Sequence, residues 1–193
     1  MKSLNSPWPC SVAFEADTGA IPQASAHYQK RLSDLRGLFL DAEALELRIR
    51  EGDPICYENY AFNQNQDEGD IFFGTTIIYP GKVGSEYYLT RGHYHGKRDH
   101  AETYQALSGS GLVLFEREDG TTRVAELAPG KITYIPPFWA HRSVNTADVP
   151  LVFLWTCPVD AGHDYEGLGE RGMRQVVVER NGKPNFEDRP PPR

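Results

Sequence analysis

The sequence predicts an all-β protein, an antiparallel β-sandwich or barrel preceded by an extension with one or two short helices. Three observations lead to this fold class. Helical periodicity is confined to residues before Pro54. From Ile55 onward, short runs rich in Tyr, Phe, Ile, Val and Thr alternate with Gly, Pro, Asn and Asp, which is the spacing of an antiparallel sheet. The dipeptide Asn181–Gly182, flanked by strand-forming residues, predicts a tight hairpin turn.

The elements follow in order along one domain, since 193 residues suit a single core. Residues 1–30 are rich in Pro, Ser, Ala and Gly and predict an extended arm. Within residues 1–54, the spacing of Leu32, Leu35 and Leu38 indicates a helix, and Asp41 is the expected N-cap of "AEALELRIR". Gly52 and Pro54 should end it. Residues 55–187 then form the barrel, and residues 188–193 a proline-rich tail outside the sheet.

The barrel strands are expected in nine runs, of which the first is "ICYENYAF" and the last "RQVVVERNGKPNF". Between them lie "DIFFGTTIIYPG", "SEYYLTRGHYHG", "AETYQALSGSG", "LVLFEREDG", "TTRVAELAPG", "KITYIPPFWAHRSVN" and "VPLVFLWTCP". Each is bounded by residues that favour turns. The last of these seven predicts a central strand that is buried on both faces.

Composition and charge argue against several classes of function. The net charge of −7 and the dispersed basic residues argue against a nucleic-acid partner. No apolar run approaches the ~20 residues of a membrane helix, so we expect a cytoplasmic protein without a membrane partner. Three widely spaced cysteines form neither a disulfide framework nor a CxxC motif. Any metal must therefore be held by His and carboxylate side chains.

Half of the six histidines lie in "TRGHYHGKRDH". Because alternate residues of a strand face the same side, His93 and His95 should project together as a chelating pair. Glu102 can return beside them on the next strand, and His141 in "PPFWAHRSVN" is the candidate third imidazole. This set of three nitrogen ligands and one oxygen suits Fe(II), Mn(II), Ni(II) or Zn(II). His100, in the turn between these strands, is expected to be solvated and not to bind the metal.

Two motifs in this order carry a resemblance. "GHYHGKRDHAE" followed by "PGKITYIPPFWAH" resembles the double motif of the cupin superfamily, which implies a cupin, or jelly-roll, β-barrel. Further segments, including "GTTIIYPGKVG", "AETYQALSGSG" and "PVDAGHDYEGLGERG", are similar to the cupin-type glucose-6-phosphate isomerases from about Arg31 to about Asn185. The resemblance implies a cytoplasmic aldose–ketose isomerase of glycolysis or gluconeogenesis that interconverts glucose 6-phosphate and fructose 6-phosphate.

The same resemblance implies roles for individual residues. It gives one divalent metal per subunit, Fe(II) first among the candidates, on His93, His95, Glu102 and His141. It implies that Thr76, Thr90, Gly92, Tyr104 and Tyr57 bind the sugar phosphate, and that Glu102, His163 and Tyr165 take part in catalysis.

The chemistry itself remains open at this point. Glu102 could shuttle a proton through a cis-enediol, although a metal-bound carboxylate is a weak base; a hydride shift needs no base. Two other functions use the same four ligands: an Fe(II) dioxygenase and a non-catalytic sugar-binding cupin. We also expect a homodimer, in which the arm or "DIFFGTTIIY" covers an exposed sheet edge across a two-fold axis.

Overall fold

The computed structural model describes residues 9–63, 67–169 and 172–190. Within these residues the chain consists mainly of β-strands, as predicted. The strands are β1 (Ala26–Arg31), β2 (Ile55–Phe62), β3 (Ile71–Ile78), β4 (Lys82–Val83), β5 (Glu86–Tyr87), β6 (Glu102–Ser108), β7 (Gly111–Glu116), β8 (Thr122–Leu127), β9 (Ile132–Ile135), β10 (Ala140–Asn145), β11 (Leu151–Pro158), β12 (Gln175–Arg180) and β13 (Lys183–Asp188). One α-helix, α1 (Ala42–Arg50), and two 3-10 helices (Leu32–Leu35 and Glu166–Leu168) complete the described elements.

The strands form three antiparallel sheets. The large sheet has six strands in the order β1-β2-β3-β11-β6-β9, and the others have the orders β10-β7-β8 and β13-β12-β5-β4. Alternation fixes which side chains enter the core: in β6, Glu102, Tyr104 and Ala106 are buried, while Thr103 and Gln105 are exposed. The core includes Leu114, Phe153 and Val177, one residue from each sheet.

The helical part of the extension follows the prediction. Asp41 caps α1, since its Oδ1 accepts a hydrogen bond from the Ala44 amide at 2.8 Å, and the helix ends at Arg50. Gly52 then takes a φ of +151°, which favours glycine. No helix in the described parts of the chain is both long and apolar enough to cross a membrane.

The predicted arm needs a correction, because part of it belongs to the sheet. Ala26–Arg31 pairs antiparallel with β2 as an edge strand. Most of its residues are exposed, so its sequence lacks the apolar alternation by which a strand is recognised. Before it, the buried Gly19 accepts a hydrogen bond from the Thr75 hydroxyl of β3, which attaches the arm to the barrel.

Two further expectations change. The segment "DIFFGTTIIY" cannot cover or offer a sheet edge, because β3 lies between β2 and β11; the edges of the large sheet are β1 and β9. The sheet also extends one residue into the predicted tail, since Asp188 pairs with Gln175 at the end of β13. Residues 191–193 of that tail lie outside the described residues.

Candidate active site

Four side chains with metal-binding atoms converge at one end of the barrel. The ligand atoms of His93, His95, Glu102 and His141 all lie within 4.8 Å of one another. His93 and His141 are joined by an antiparallel bridge, with the His93 amide 3.2 Å from the His141 carbonyl. Glu102 begins β6. The sequence therefore supplied the alternating His93 and His95, and the sheet supplied the other two positions.

The cluster is buried and closely spaced. Glu102 Oε2 lies 3.2 Å from His95 Nε2 and 3.0 Å from His141 Nε2. The His141 side chain is 1% exposed, and its Nε2 has no partner with hydrogen-bond geometry among the described residues. A buried nitrogen without a hydrogen bond is costly unless another group binds it.

Electrostatics prepare Glu102 and His93 as ligands, whereas burial would lower the pKa of His95 but its contact with Glu102 raises it. Burial alone would raise the pKa of Glu102, but the close contacts with the His141 and His95 imidazoles outweigh it and lower that pKa to about 2. Burial and the neighbouring His141 and His163 hold the pKa of His93 well below its usual value. An ionised carboxylate and a neutral imidazole are the forms that bind a divalent metal. The cluster therefore fits such an ion in charge, donor type and spacing.

The turn after His95 orients that ligand. His95 Nδ1 lies 2.9 Å from the carbonyl oxygen of His100, which leaves Nε2 directed at the cluster. The ring of His100 lies outside the cluster: it is partly buried and binds Asp99 and Asp160 at 3.1 and 3.0 Å. His100 was expected to be solvated; it contributes instead through its backbone.

A cavity of about 310 Å³ opens beside the cluster. The four candidate ligands line this cavity. So do all of the residues assigned to substrate binding or catalysis from the sequence: Tyr57, Thr76, Thr90, Gly92, Tyr104, His163, Tyr165 and Glu102. They come from β2, β3, β6, the segment before His93 and the loop after β11. The volume suits a small polar molecule.

The two threonines have their hydroxyl oxygens already engaged. Thr76 Oγ1 accepts a hydrogen bond from Asn59 Nδ2 at 2.9 Å, and Thr90 Oγ1 accepts one from the Ser143 amide at 3.1 Å. A hydroxyl that accepts from the protein has its own proton left to donate. Both side chains can therefore donate a hydrogen bond to an anion in the cavity.

The segment Arg91–Gly92 is held from below by a buried side chain. Arg142 is 1% exposed, and its Nη2 donates to the Arg91 carbonyl at 2.7 Å. Gly92 has a φ of +75°, and a Cβ there would lie 3.1 Å from Arg142 Nε. Only glycine fits this backbone comfortably, so Arg91 and Gly92 can approach a ligand closely.

The loop after β11 brings His163 and Tyr165 over the cluster. The ring centroid of His163 lies 4.4 Å from that of His93, and the rings of His163 and Tyr165 are parallel with centroids 5.7 Å apart. Burial lowers the pKa of His163 and raises that of Tyr165. Both shifts favour the neutral forms, which can donate or accept hydrogen bonds at a sugar ring.

Among the cavity residues without an assigned role, three have side chains that can bind a polar ligand. Asn59 follows Tyr57 at the strand period of two, so alternation could have indicated it. Arg91 lines the cavity with its guanidinium 4.7 Å from the Tyr165 ring centroid, whereas Lys97, a cation in the turn after His95, pairs with Asp160. Tyr28 reaches the cavity from β1, and nothing in the arm's sequence signals it.

Comparisons with known proteins point to one family. The family model described as glucose-6-phosphate isomerase (GPI) matches residues 29–190. Relatives named glucose-6-phosphate isomerase include those of Thermococcus litoralis, 48% identical over 94% of this chain and 95% of that protein, and of Pyrococcus abyssi, 48% identical over 94% and 96%. A relative of that name from Sinorhizobium medicae is 40% identical over 95% of this chain and 85% of its own.

Among solved structures, oxalate decarboxylase from Bacillus subtilis at pH 4.6 resembles part of the chain, with a TM-score of 0.45, 23% identity and coverage of 60% of this chain and 29% of that one. The family match carries the assignment, because it spans most of the barrel and every residue of the cavity beyond the arm. This chain belongs to the glucose-6-phosphate isomerase family.

Proposed function

We propose that this protein interconverts glucose 6-phosphate and fructose 6-phosphate, with one divalent metal ion held by His93, His95, Glu102 and His141. The observation that carries the proposal is that one cavity is lined both by this cluster and by two threonine hydroxyls with donatable protons. Fe(II) is the first candidate, with Mn(II), Ni(II) and Zn(II) as alternatives, since the donor set suits all four. The bound ion would polarise the carbonyl of the open-chain sugar and stabilise negative charge that develops there.

The phosphate end of the substrate requires donors. Thr76 and Thr90 offer hydroxyl protons, and Arg91 adds a positive charge in the same cavity. The guanidinium now lies against the Tyr165 ring, where an approaching phosphate would compete for it. Binding the phosphate here leaves the sugar carbons to extend across the cavity toward the cluster.

The carbonyl end lies between the cluster and the His163 loop. His163 and Tyr165, both favoured as neutral groups, can exchange hydrogen bonds with the ring oxygen and hydroxyls as the ring opens. Tyr104 is fully enclosed beside the ligands, and burial raises its pKa well above the usual value, so it acts as a neutral donor. These groups orient C1 and C2 near Glu102.

The hydrogen transfer between C1 and C2 has two routes. Glu102 is the proposed base for the cis-enediol route, but the imidazole contacts that lower its pKa to about 2 also weaken it as a base. The hydride shift moves hydrogen directly from one carbon to the other and requires only that the carbonyl be polarised. Conversion of fructose 6-phosphate in deuterium oxide separates them: deuterium at C2 of the glucose 6-phosphate supports the enediol route, and complete retention supports the hydride shift.

The function is tested with protein stripped by EDTA and reloaded with Fe(II), Mn(II), Ni(II) or Zn(II). Formation of glucose 6-phosphate from fructose 6-phosphate is followed with a coupled dehydrogenase, in the wild type and in His93→Ala. His27→Ala is the matched control, since His27 pairs with Glu58 outside the cluster. We expect activity to return with metal in the wild type and His27→Ala and to be absent in His93→Ala.

Metal-loaded wild type without isomerase activity would overturn the proposal. Oxygen consumption with an organic acid or thiol would then favour the dioxygenase, and sugar-phosphate binding without turnover would favour a non-catalytic binding protein.

We also propose that the protein is a cytoplasmic homodimer. Three side chains on the outer face of the large sheet are unusually exposed for apolar residues: Ile71 (62%), Ile132 (70%) and Tyr134 (60%). The strand register places Tyr134 opposite Thr103 of β6, Thr103 opposite Thr156 of β11, and Thr156 opposite Phe73 of β3. Because alternate residues of a strand face the same side, Ile132 shares the face of Tyr134 and Ile71 that of Phe73, so the three exposed residues lie on one face. A second copy of the chain is the occupant we favour. A sedimentation mass equal to one chain would refute the dimer. The three cysteines form no disulfide in the described chain, which supports the proposed location in the reducing cytoplasm.

A further inference from the structure

The loop that carries His163 and Tyr165 meets the segment that carries His93 and His95 at two backbone contacts: the Lys97 amide donates to the Ala161 carbonyl at 2.9 Å, and Asp164, between the two cavity residues, pairs with Tyr94. Asp164 forms an antiparallel bridge with Tyr94: its amide donates to the Tyr94 carbonyl at 2.8 Å, and the Tyr94 amide donates back at 3.1 Å. Because neighbouring residues of an extended segment face opposite sides, His163 and Tyr165 line the cavity while Asp164 does not. The placement of both cavity residues therefore depends on how firmly Asp164 is held.

One guanidinium holds Asp164 on the outer side of this bridge. Arg98 Nη2 donates to Asp164 Oδ2 at 2.7 Å, and Arg98 Nη1 donates to the carbonyl oxygen of His95 at 3.3 Å. The same guanidinium lies 3.9 Å from the centroid of the Tyr94 ring. A single side chain thus contacts the carboxylate of the loop, the backbone of a candidate metal ligand and the residue that forms the bridge.

Asp164 and the following turn are matched to this contact. The second carboxylate oxygen, Oδ1, accepts a hydrogen bond from the Gly167 amide at 2.8 Å. A Cβ at Gly167 would lie 2.5 Å from Arg98 Nη2 and 2.6 Å from Asp164 Oδ2, so a larger residue there would displace the pair. The two side chains are only 25% and 33% exposed, which limits screening by solvent.

We infer that Arg98 is a positioning residue for the isomerase reaction: through Asp164 it fixes the loop that places His163 and Tyr165 over the metal cluster. This inference rests on the proposed function. Arg98 itself does not line the cavity, so its effect on the reaction passes through the groups that it holds, the Asp164 carboxylate and the His95 carbonyl. The contact is specific to arginine, because a lysine could pair with Asp164 but could not also stack on Tyr94 and reach the His95 carbonyl in one plane.

The test combines steady-state kinetics with hydrogen exchange on the metal-loaded full chain. Arg98→Ala, Asp164→Asn and the double variant are compared with the wild type, and Arg123→Ala on β8 is the matched control, because the Arg123 side chain bonds only its neighbour's carbonyl within the described chain. We expect kcat/KM to fall about tenfold in Arg98→Ala, less in Asp164→Asn, and no further in the double variant than in Arg98→Ala, since the contact between the two side chains is already lost there. The metal content should remain that of the wild type.

Two further variants separate positioning from general destabilisation. Arg98→Lys should recover part of the lost kcat/KM, because an ammonium still pairs with Asp164. Gly167→Ala should reproduce the loss without removing either charge. In Arg98→Ala the amide of Asp164 should exchange about tenfold faster, while the amides of β10 keep their wild-type rates.

The exchange measurement keeps the inference independent of the proposed activity. If the wild type has no isomerase activity, the proposed function fails. Faster exchange at Asp164 in Arg98→Ala would still show that Arg98 holds the loop. Unchanged exchange at Asp164 would overturn the inference, whether or not activity falls. Losses in kcat/KM that add up in the double variant would also overturn it.

Discussion

Replacement of Thr76 by valine removes one hydroxyl from the cavity wall and keeps the β-branched shape of the strand residue. Thr76 is 4% exposed on β3, and its oxygen accepts from Asn59 at 2.9 Å, so its proton is the part available to the substrate. If that proton binds the phosphate, the lost hydrogen bond to a charged group is worth about 1.5–3 kcal/mol. This corresponds to a rise in KM for fructose 6-phosphate of about 10–150-fold. The maximal rate should change much less.

The cost of Thr76→Val to the fold should be small. Only the Asn59 hydrogen bond is lost, and Asn59 is half-buried, so we expect a loss of about 1 kcal/mol in the free energy of unfolding. That loss corresponds to a fall in Tm of about 2–4 °C for a chain of this length. The variant should therefore be folded at the assay temperature.

The adjacent threonine is the matched control. Thr75 lies on the same strand but faces away from the cavity, where its hydroxyl donates to the carbonyl of the buried Gly19. Thr75→Val should cost about 1–3 kcal/mol of stability by leaving that carbonyl without its partner, and it should leave KM unchanged. KM is measured with the coupled dehydrogenase. A KM for Thr76→Val within twofold of the wild type, or an equal rise in Thr75→Val, would contradict the phosphate assignment.

Three other changes have clear expected outcomes. Glu102→Gln keeps the size of the side chain but removes the negative charge of the cluster. Metal affinity, measured by competition with a chelator, should fall by at least about 100-fold, which exceeds the ~10–100-fold loss typical of residues that only hydrogen-bond a metal ligand. Near wild-type affinity would exclude Glu102 as a ligand. Gly74→Ala would place a Cβ 2.0 Å from the Tyr60 carbonyl oxygen, so we expect a loss of about 3 kcal/mol and a fall in Tm of about 6–12 °C by calorimetry. An unchanged Tm would mean that the backbone adapts there. Cys10 is exposed, while Cys56 is buried and burial raises its pKa to about 12; a thiol reagent should label Cys10 in the native protein and Cys56 only after unfolding, and rapid native labelling of Cys56 would contradict that burial.

The position of the arm illustrates what local sequence could not reveal. Tyr28 enters the cavity because Ala26–Arg31 adds a strand beside β2. That strand is mostly exposed and is held by its pairing with β2. Because it has no buried face, its sequence shows no alternation of apolar and polar residues. The helix nearby was predictable because its cap acts locally: Asp41 accepts from an amide only three residues away.

The supporting contacts of the site show the same limit. Arg98 stands in a turn whose sequence gives it no role, and the partner that explains it, Asp164, is 66 residues further on. His100 likewise orients His95 with a backbone carbonyl, a group that every residue possesses and that side-chain identity cannot mark. Contacts of these two kinds become visible only when distant strands are brought together.

The sequence by itself determined the class of fold, the family and the donor atoms of the candidate metal centre. Strand periodicity put His93 and His95 on one face, and the resemblance to the cupin-type isomerases indicated Glu102, His141 and the residues that line the cavity. The tertiary structure alone decided that β3 is an internal strand, that the arm lends Tyr28 to the cavity, and that Arg98 holds the loop of His163. The physical reason is range: side-chain alternation and helix caps act over a few residues, whereas sheet order and ion pairs between loops depend on which distant segments become neighbours.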